Sequence, residues 1–127
     1  MSTELANVPA IDMRAITELA EAEDPAAGAQ FIAEIIDVFL SDLRQRVSTI
    51  GSQMNSNDRS GVAATAHAIK GSCGHFGATR LVELSRDLED KARRPPSGDL
   101  QLEFDSMIAE AERVRAALEA YRAEHAP

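Results

Sequence analysis

Apolar residues recur along the chain at steps of three and four, and a sustained alternation of period two occurs nowhere, so the pattern predicts helices throughout. Pro9, Ile11, Met13, Ile16 and Leu19 mark a short first helix over about residues 9–20, closed by the acidic run Glu21-Ala22-Glu23-Asp24. Asp24-Pro25 then offers an N-cap and a proline at the first helical position. The helix it opens carries Ile32, Ile36, Phe39, Leu43, Val47, Ile50 and Met54 as one seam. Asn55-Ser56-Asn57-Asp58 supplies turn chemistry and the next N-cap.

A third helix runs from about Asp58 into the mid-seventies, with Val62, Ala66, Ile69 and Cys73 on one face. Gly71, Gly74 and Gly77 loosen its end, and Gly77 marks a turn. Leu81, Leu84, Leu88 and Ala92 form the inner stripe of a fourth helix. Arg93-Arg94-Pro95-Pro96-Ser97-Gly98 is the clearest loop, because two prolines block helix continuation. The last helix carries Phe104, Met107 or Ile108, Ala111, Val114, Leu118 and Tyr121, and the tail Glu124-His125-Ala126-Pro127 is expected to fray. Four substantial helices with short connections, each with one apolar stripe, read as an all-α fold. It is an antiparallel four-helix bundle over about residues 25–122, with the short N-terminal helix as a lid, in one domain spanning 1–127.

Composition narrows the function classes. Thirteen Lys plus Arg against twenty-one Asp plus Glu give a net charge of −8 over 127 residues, which disfavours binding nucleic acid or an anionic membrane through a broad basic surface. Cys73 is the only cysteine, so an intrachain disulfide and a Cys-based zinc site are excluded. Aromatics are 4% of the chain and Trp is absent, which leaves no stacking platform for bases or sugars. Met1 to Leu5 lacks the basic and apolar regions of a secretory signal, and Glu34 and Asp37 interrupt the most apolar stretch, Phe31 to Leu40. A cytoplasmic, free-standing protein without membrane contact is the expectation; an inert structural bundle fits these features equally well.

The third helix holds the candidate chemistry. At about 100° per residue, with Val62 at zero, Ala66, Ile69 and Cys73 fall within roughly 40° of it, whereas His67 falls at roughly 140°, away from the core. Lys70 lies one turn further along the same surface, and Ala63, Ala64, Gly71 and Gly74 share that flank. A histidine is thus presented on a shelf of side chains too small to hide it. Glycine inside a helix costs roughly 0.5–1 kcal/mol relative to alanine, so Gly71 and Gly74 either make room for a docking partner or begin to end the helix. An exposed imidazole beside an ammonium suits a nucleophile for phosphoryl groups, whose transfer requires positioning and charge stabilisation. No Asp or Glu lies within one helical turn of His67, which argues against a metal site or catalytic dyad. His75, eight residues on, is too far along an unbroken helix to share a metal with it, and Cys73 on the inner stripe reads as inert packing.

The string His67-Ala68-Ile69-Lys70-Gly71-Ser72, followed by Gly77-Ala78 and then Leu81, Leu84 and Leu88-Glu89, resembles the histidine-containing phosphotransfer (HPt) family. The resemblance extends over roughly Pro25 to Tyr121. It implies His67 as phosphoacceptor, Lys70 as charge partner of the phosphoryl group, Gly71 as clearance for the partner, Ser72 as a local hydrogen-bonding or packing residue and Gly77 as the turn into the fourth helix. Ala63, Ala64, Gly74 and Arg93 would lie on the docking surface. Arg93 equally suits a helix C-terminus, where the macrodipole favours a cation, and Ser72 equally suits a hydroxyl bonded to its own helix. Cys73 and His75 stand where many members have Ser and Asn.

What the resemblance implies is a phosphorelay carrier, taking a phosphoryl group from a receiver-domain aspartate, or from a sensor or hybrid histidine kinase, and passing it to a response-regulator receiver. No Gly-rich phosphate loop is present, so neither ATP binding nor autokinase activity is expected. The chain is expected to bind no cofactor or metal itself, Mg²⁺ residing on the receiver, and to be a monomer. Two alternatives are the N-terminal phosphotransfer domain of a chemotaxis-type kinase and a receiver-binding adaptor that carries no phosphate. Residues 1–25 hold six carboxylates against Arg14 alone, while the flank of His67 shows alanine, glycine and one lysine. A receiver's acidic pocket could approach that near-neutral shelf without repulsion.

Overall fold

The computed structural model describes residues 9–21, 24–94 and 98–125. Glu4, Ala22, Glu23, the Pro95-Pro96-Ser97 part of the loop, and Ala126-Pro127 lie outside the described residues, as does the side chain of Leu19. The elements are α1 (Arg14–Glu21), α2 (Pro25–Asn55), α3 (Arg59–Cys73), a 3₁₀ turn (Gly74–Phe76), α4 (Thr79–Ala92) and α5 (Gln101–Glu124). No strand occurs among the described residues.

Side-chain caps fix where these helices begin. The Asp24 carboxylate accepts from the Ala27 amide at 2.9 Å, with Pro25 at the first helical position. Asp58 accepts from Gly61 in the same way at 2.9 Å, after Asn57 has turned the chain in the left-handed region at φ 58°. The first helix is shorter than its apolar spacing predicted: Pro9 and Ile11 precede it. The Asp12 amide is held by the Phe76 carbonyl at 2.8 Å, and the Asp12 side chain accepts from the Arg14 amide at 3.1 Å, so the helix starts only at Arg14.

α2 packs against α3, α3 against α4, α4 against α5 and α5 back onto α2, closing a four-helix bundle, while α1 covers α2 and the 3₁₀ turn. The sequence stripes supply the interior: Ile36, Ile50, Val62, Ile69, Leu81, Leu88, Val114 and Leu118 are all fully buried. Each such side chain contributes about 1.5–3 kcal/mol by leaving water. Of the two candidates on α5 it is Met107 that enters the core, whereas Ile108 is 39% exposed.

Three further contacts lock the ends. Phe39 and Phe76 rings lie 4.3 Å apart and seat the 3₁₀ turn on α2. Arg59 at the start of α3 donates to the carbonyls of Lys91 at 2.9 Å and Gly98 at 2.7 Å, with Ala92 at 3.4 Å, satisfying the otherwise unpaired C-terminus of α4. The expected fraying at Glu124-His125 does not occur. α5 runs through Glu124, the His125 ring stacks on Tyr121 at 4.0 Å, and the Tyr121 hydroxyl shares a hydrogen bond with Thr17 of α1 at 3.1 Å.

Candidate functional site

His67 stands near the middle of α3, and the core stripe on the opposite side of that helix determines its outward placement: Val62, Ala66, Ile69 and Cys73 are all buried. The imidazole is 62% exposed. Its Nδ1 lies 3.0 Å from Oε2 of Glu89, a residue of α4 whose side chain is only 4% exposed. The same Oε2 receives Arg93 Nη1 at 2.9 Å, from the C-cap of α4. Lys70 Nζ stands 3.2 Å from the other oxygen, Oε1, as an ion pair, and Oε1 has no hydrogen-bond donor. One carboxylate therefore gathers His67, Lys70 and Arg93.

That cluster decides the protonation pattern. Burial alone would raise the Glu89 carboxyl above the ordinary range, but the Lys70 ammonium foremost, then Arg93 and His67, outweigh it and hold the carboxyl below its usual value. An ionised carboxylate only accepts hydrogen bonds, so the neutral imidazole carries its proton on Nδ1 and keeps a lone pair on Nε2. Nε2 makes no hydrogen bond to any described residue.

Small residues surround the exposed ring, with one exception. Ala64, Gly71 and Gly74 lie on the surface, and no atom of the chain would come within 4 Å of a Cβ added at Gly71 or Gly74. Their bareness serves nothing inside the protein. α3 continues through Gly71 to Cys73, so Gly71 does not end the helix, whereas Gly74 coincides with the change to the 3₁₀ turn. Ala63 is the correction. At 2% exposure it is buried in the core cluster and cannot belong to a docking surface, because helical projection did not show that α4 covers this flank of α3.

The remaining candidates fall into plain structural positions. The Ser72 hydroxyl donates to the Ile69 carbonyl of its own helix at 3.1 Å. Gly77 is left-handed, φ 59°, at the turn before α4. Cys73 is fully buried, and burial pushes its thiol up to about 12. His75 is exposed on the 3₁₀ turn. No group of three or more His, Cys, Asp and Glu able to hold a metal ion occurs among the described residues.

Sequence reasoning missed Glu89 as a partner of His67. Searching one turn along α3 found no carboxylate, and the carboxylate arrives instead from 22 residues away on the next helix. A signal existed: Glu89 directly follows the stripe residue Leu88, so a charge sits at the edge of an inner face. The shelf around His67 is thus not free of acid, but its acid is buried and matched by cations.

Comparison with known proteins agrees with this arrangement. The chain belongs to the Hpt domain family, whose model matches residues 34–124, and is a histidine phosphotransfer protein. It is similar to the phosphorelay protein LuxU of Vibrio cholerae, at 26% identity over 81 residues, covering 64% of this chain and 72% of that protein. The LuxU of Vibrio harveyi is 26% identical over 82 residues, covering 65% and 72%. The crystal structure of histidine-containing phosphotransfer protein B (HptB) from Pseudomonas aeruginosa PAO1 shares the fold, with a TM-score of 0.78, 24% identity, and coverage of 93% of this chain and 98% of that one.

Proposed function

We propose that His67 is the phosphoacceptor of a phosphorelay carrier, loaded from a receiver aspartyl phosphate or from a sensor or hybrid histidine kinase, and discharged onto a response-regulator receiver. The observation that carries this reading is the exposed imidazole whose Nε2 is unengaged beside Lys70, on a shelf made of Ala64, Gly71 and Gly74. In the loading step the Nε2 lone pair forms a bond to phosphorus as the phosphorus–oxygen bond to the aspartate breaks, and the aspartate leaves as a carboxylate. Lys70 lies close enough to turn its ammonium onto the phosphoryl oxygens.

The bare shelf lets a receiver bring its aspartate to Nε2, with Arg93, 57% exposed, at the rim. Being a carrier, the chain acts as one phosphotransfer domain over 1–127, in the cytoplasm and as a monomer, and phosphorylates nothing from ATP. The Mg²⁺ that transfer requires sits on the receiver, so the chain holds no cofactor. No helix among the described residues is long and apolar enough to cross a membrane, which is compatible with that location. The description of the LuxU relatives as phosphorelay proteins supports the same role.

The test mixes the protein with a phosphorylated receiver domain and looks for acid-labile, alkali-stable label on it. Label is expected on the wild type and not on His67→Gln; label persisting in the variant sinks the assignment.

A further inference from the structure

Glu89 is an expensive residue to keep where it is. A carboxylate taken out of water loses solvation worth several kcal/mol, and Oε1 of Glu89 is buried with no hydrogen-bond donor, leaving that lobe only the Lys70 ion pair. A buried ion cluster is weak evidence for stability, since apolar residues of similar volume frequently do as well. An unsatisfied buried oxygen calls for another reason.

Geometry supplies one. Of the three cations, His67 is engaged through Nδ1, the ring nitrogen not available for attack if Nε2 is the nucleophile. When Nε2 of a ring protonated at Nδ1 bonds to phosphorus, both nitrogens are substituted and the ring becomes cationic. The proton stays on Nδ1, the aspartate oxygen leaves with the electron pair of its former bond, and the new positive charge lies next to Glu89 Oε2. On discharge the steps reverse, and the ring departs from phosphorus as a neutral imidazole.

We propose that Glu89 is a positioning residue for phosphotransfer: by accepting the Nδ1 proton's hydrogen bond it directs the lone pair to the outward Nε2, and it provides the countercharge for the cationic ring. This rests on His67 being the acceptor. Because the charge appears in loading and disappears in discharge, Glu89 accelerates both directions. A preorganised charge aimed at where charge develops is worth most in a site partly shielded from water.

The experiment uses the full chain with potassium phosphoramidate as donor, so that no receiver need be identified, and compares wild type, Glu89→Gln, Glu89→Met and His67→Gln. Nitrogen-15 spectra of the unphosphorylated proteins report the His67 tautomer, and phosphorus-31 spectra follow loading and decay. The wild type should show Nδ1–H, and Glu89→Met should move the population towards Nε2–H. Loading should slow by about 10-fold or more in Glu89→Gln and Glu89→Met, as for loss of a transition-state charge partner. Discharge to water should slow as well.

Unchanged tautomer and rates in both variants, with or without a lower melting temperature, would overturn the proposal and leave Glu89 a structural ion-pair centre. Equal labelling of wild type and His67→Gln would instead overturn the acceptor assignment, so the two failures are distinguishable.

Discussion

Gly77 sits directly against Asp12: a Cβ on Gly77 would lie 2.6 Å from the Asp12 carbonyl oxygen and 2.8 Å from its Cα. The N-terminal segment therefore passes over the α3–α4 turn with no room for a side chain. Gly77 is also left-handed, at φ 59°. Gly77→Ala adds a left-handed alanine to a backbone clash and is expected to destabilise the fold by about 1–3 kcal/mol. Chemical denaturation checks this, and an unchanged midpoint would show that the N-terminal segment lifts away freely.

Lys70 is tethered to Glu89 Oε1 by charge, without a directed hydrogen bond, and is 27% exposed, so it can exchange partners at little cost. Lys70→Ala should leave the far-ultraviolet circular dichroism spectrum unchanged. Loading should slow by about 10-fold or more, and the phosphohistidine should live for a shorter time. Equal rates and lifetimes would make Lys70 an ordinary surface lysine.

The Glu89 carboxyl, held below its ordinary 4.5, ties stability to pH. A group whose folded value is depressed stabilises the fold above the unfolded value, and the contribution is lost as pH falls through the ordinary value towards the lower folded one. Between about pH 5 and 3, the range where carboxylates titrate, wild-type stability should therefore fall more steeply than that of Glu89→Gln. Parallel curves for the two proteins would mean the cations confer no net preference for the carboxylate.

Cys73 is buried on the core stripe, and its thiol is pushed up to about 12, which suppresses the reactive thiolate. Native protein should react with iodoacetamide at mildly alkaline pH far more slowly than urea-unfolded protein, by about 100-fold or more, given the thiolate fraction of a free cysteine. Rapid native alkylation would show that the end of α3 opens readily.

Much of this was legible in the chain because it depends on short spacings. The inner stripes of α2, α3 and α4, the Asp24 and Asp58 caps and the exposure of His67 all follow from helical period and local capping chemistry. What was not legible depends on how helices meet. Ala63 and Glu89 both occupy the α3–α4 seam, and only the register of the two helices decides that one is covered and the other reaches His67. The start of α1 was misplaced for a similar reason, since the Asp12 amide bonds to Phe76, 64 residues downstream. His125 was expected to fray because nothing in the tail's composition announces its stacking on Tyr121.

The most direct measurement loads the nitrogen-15-labelled protein with phosphate from a phosphorylated receiver and locates the phosphoryl group by phosphorus–nitrogen coupling. With Nδ1 held by Glu89 at 3.0 Å, the coupling should appear at Nε2 of His67 and at no other nitrogen. Coupling at Nδ1 of His67, or at His75 or His125, would contradict the site described by this structure.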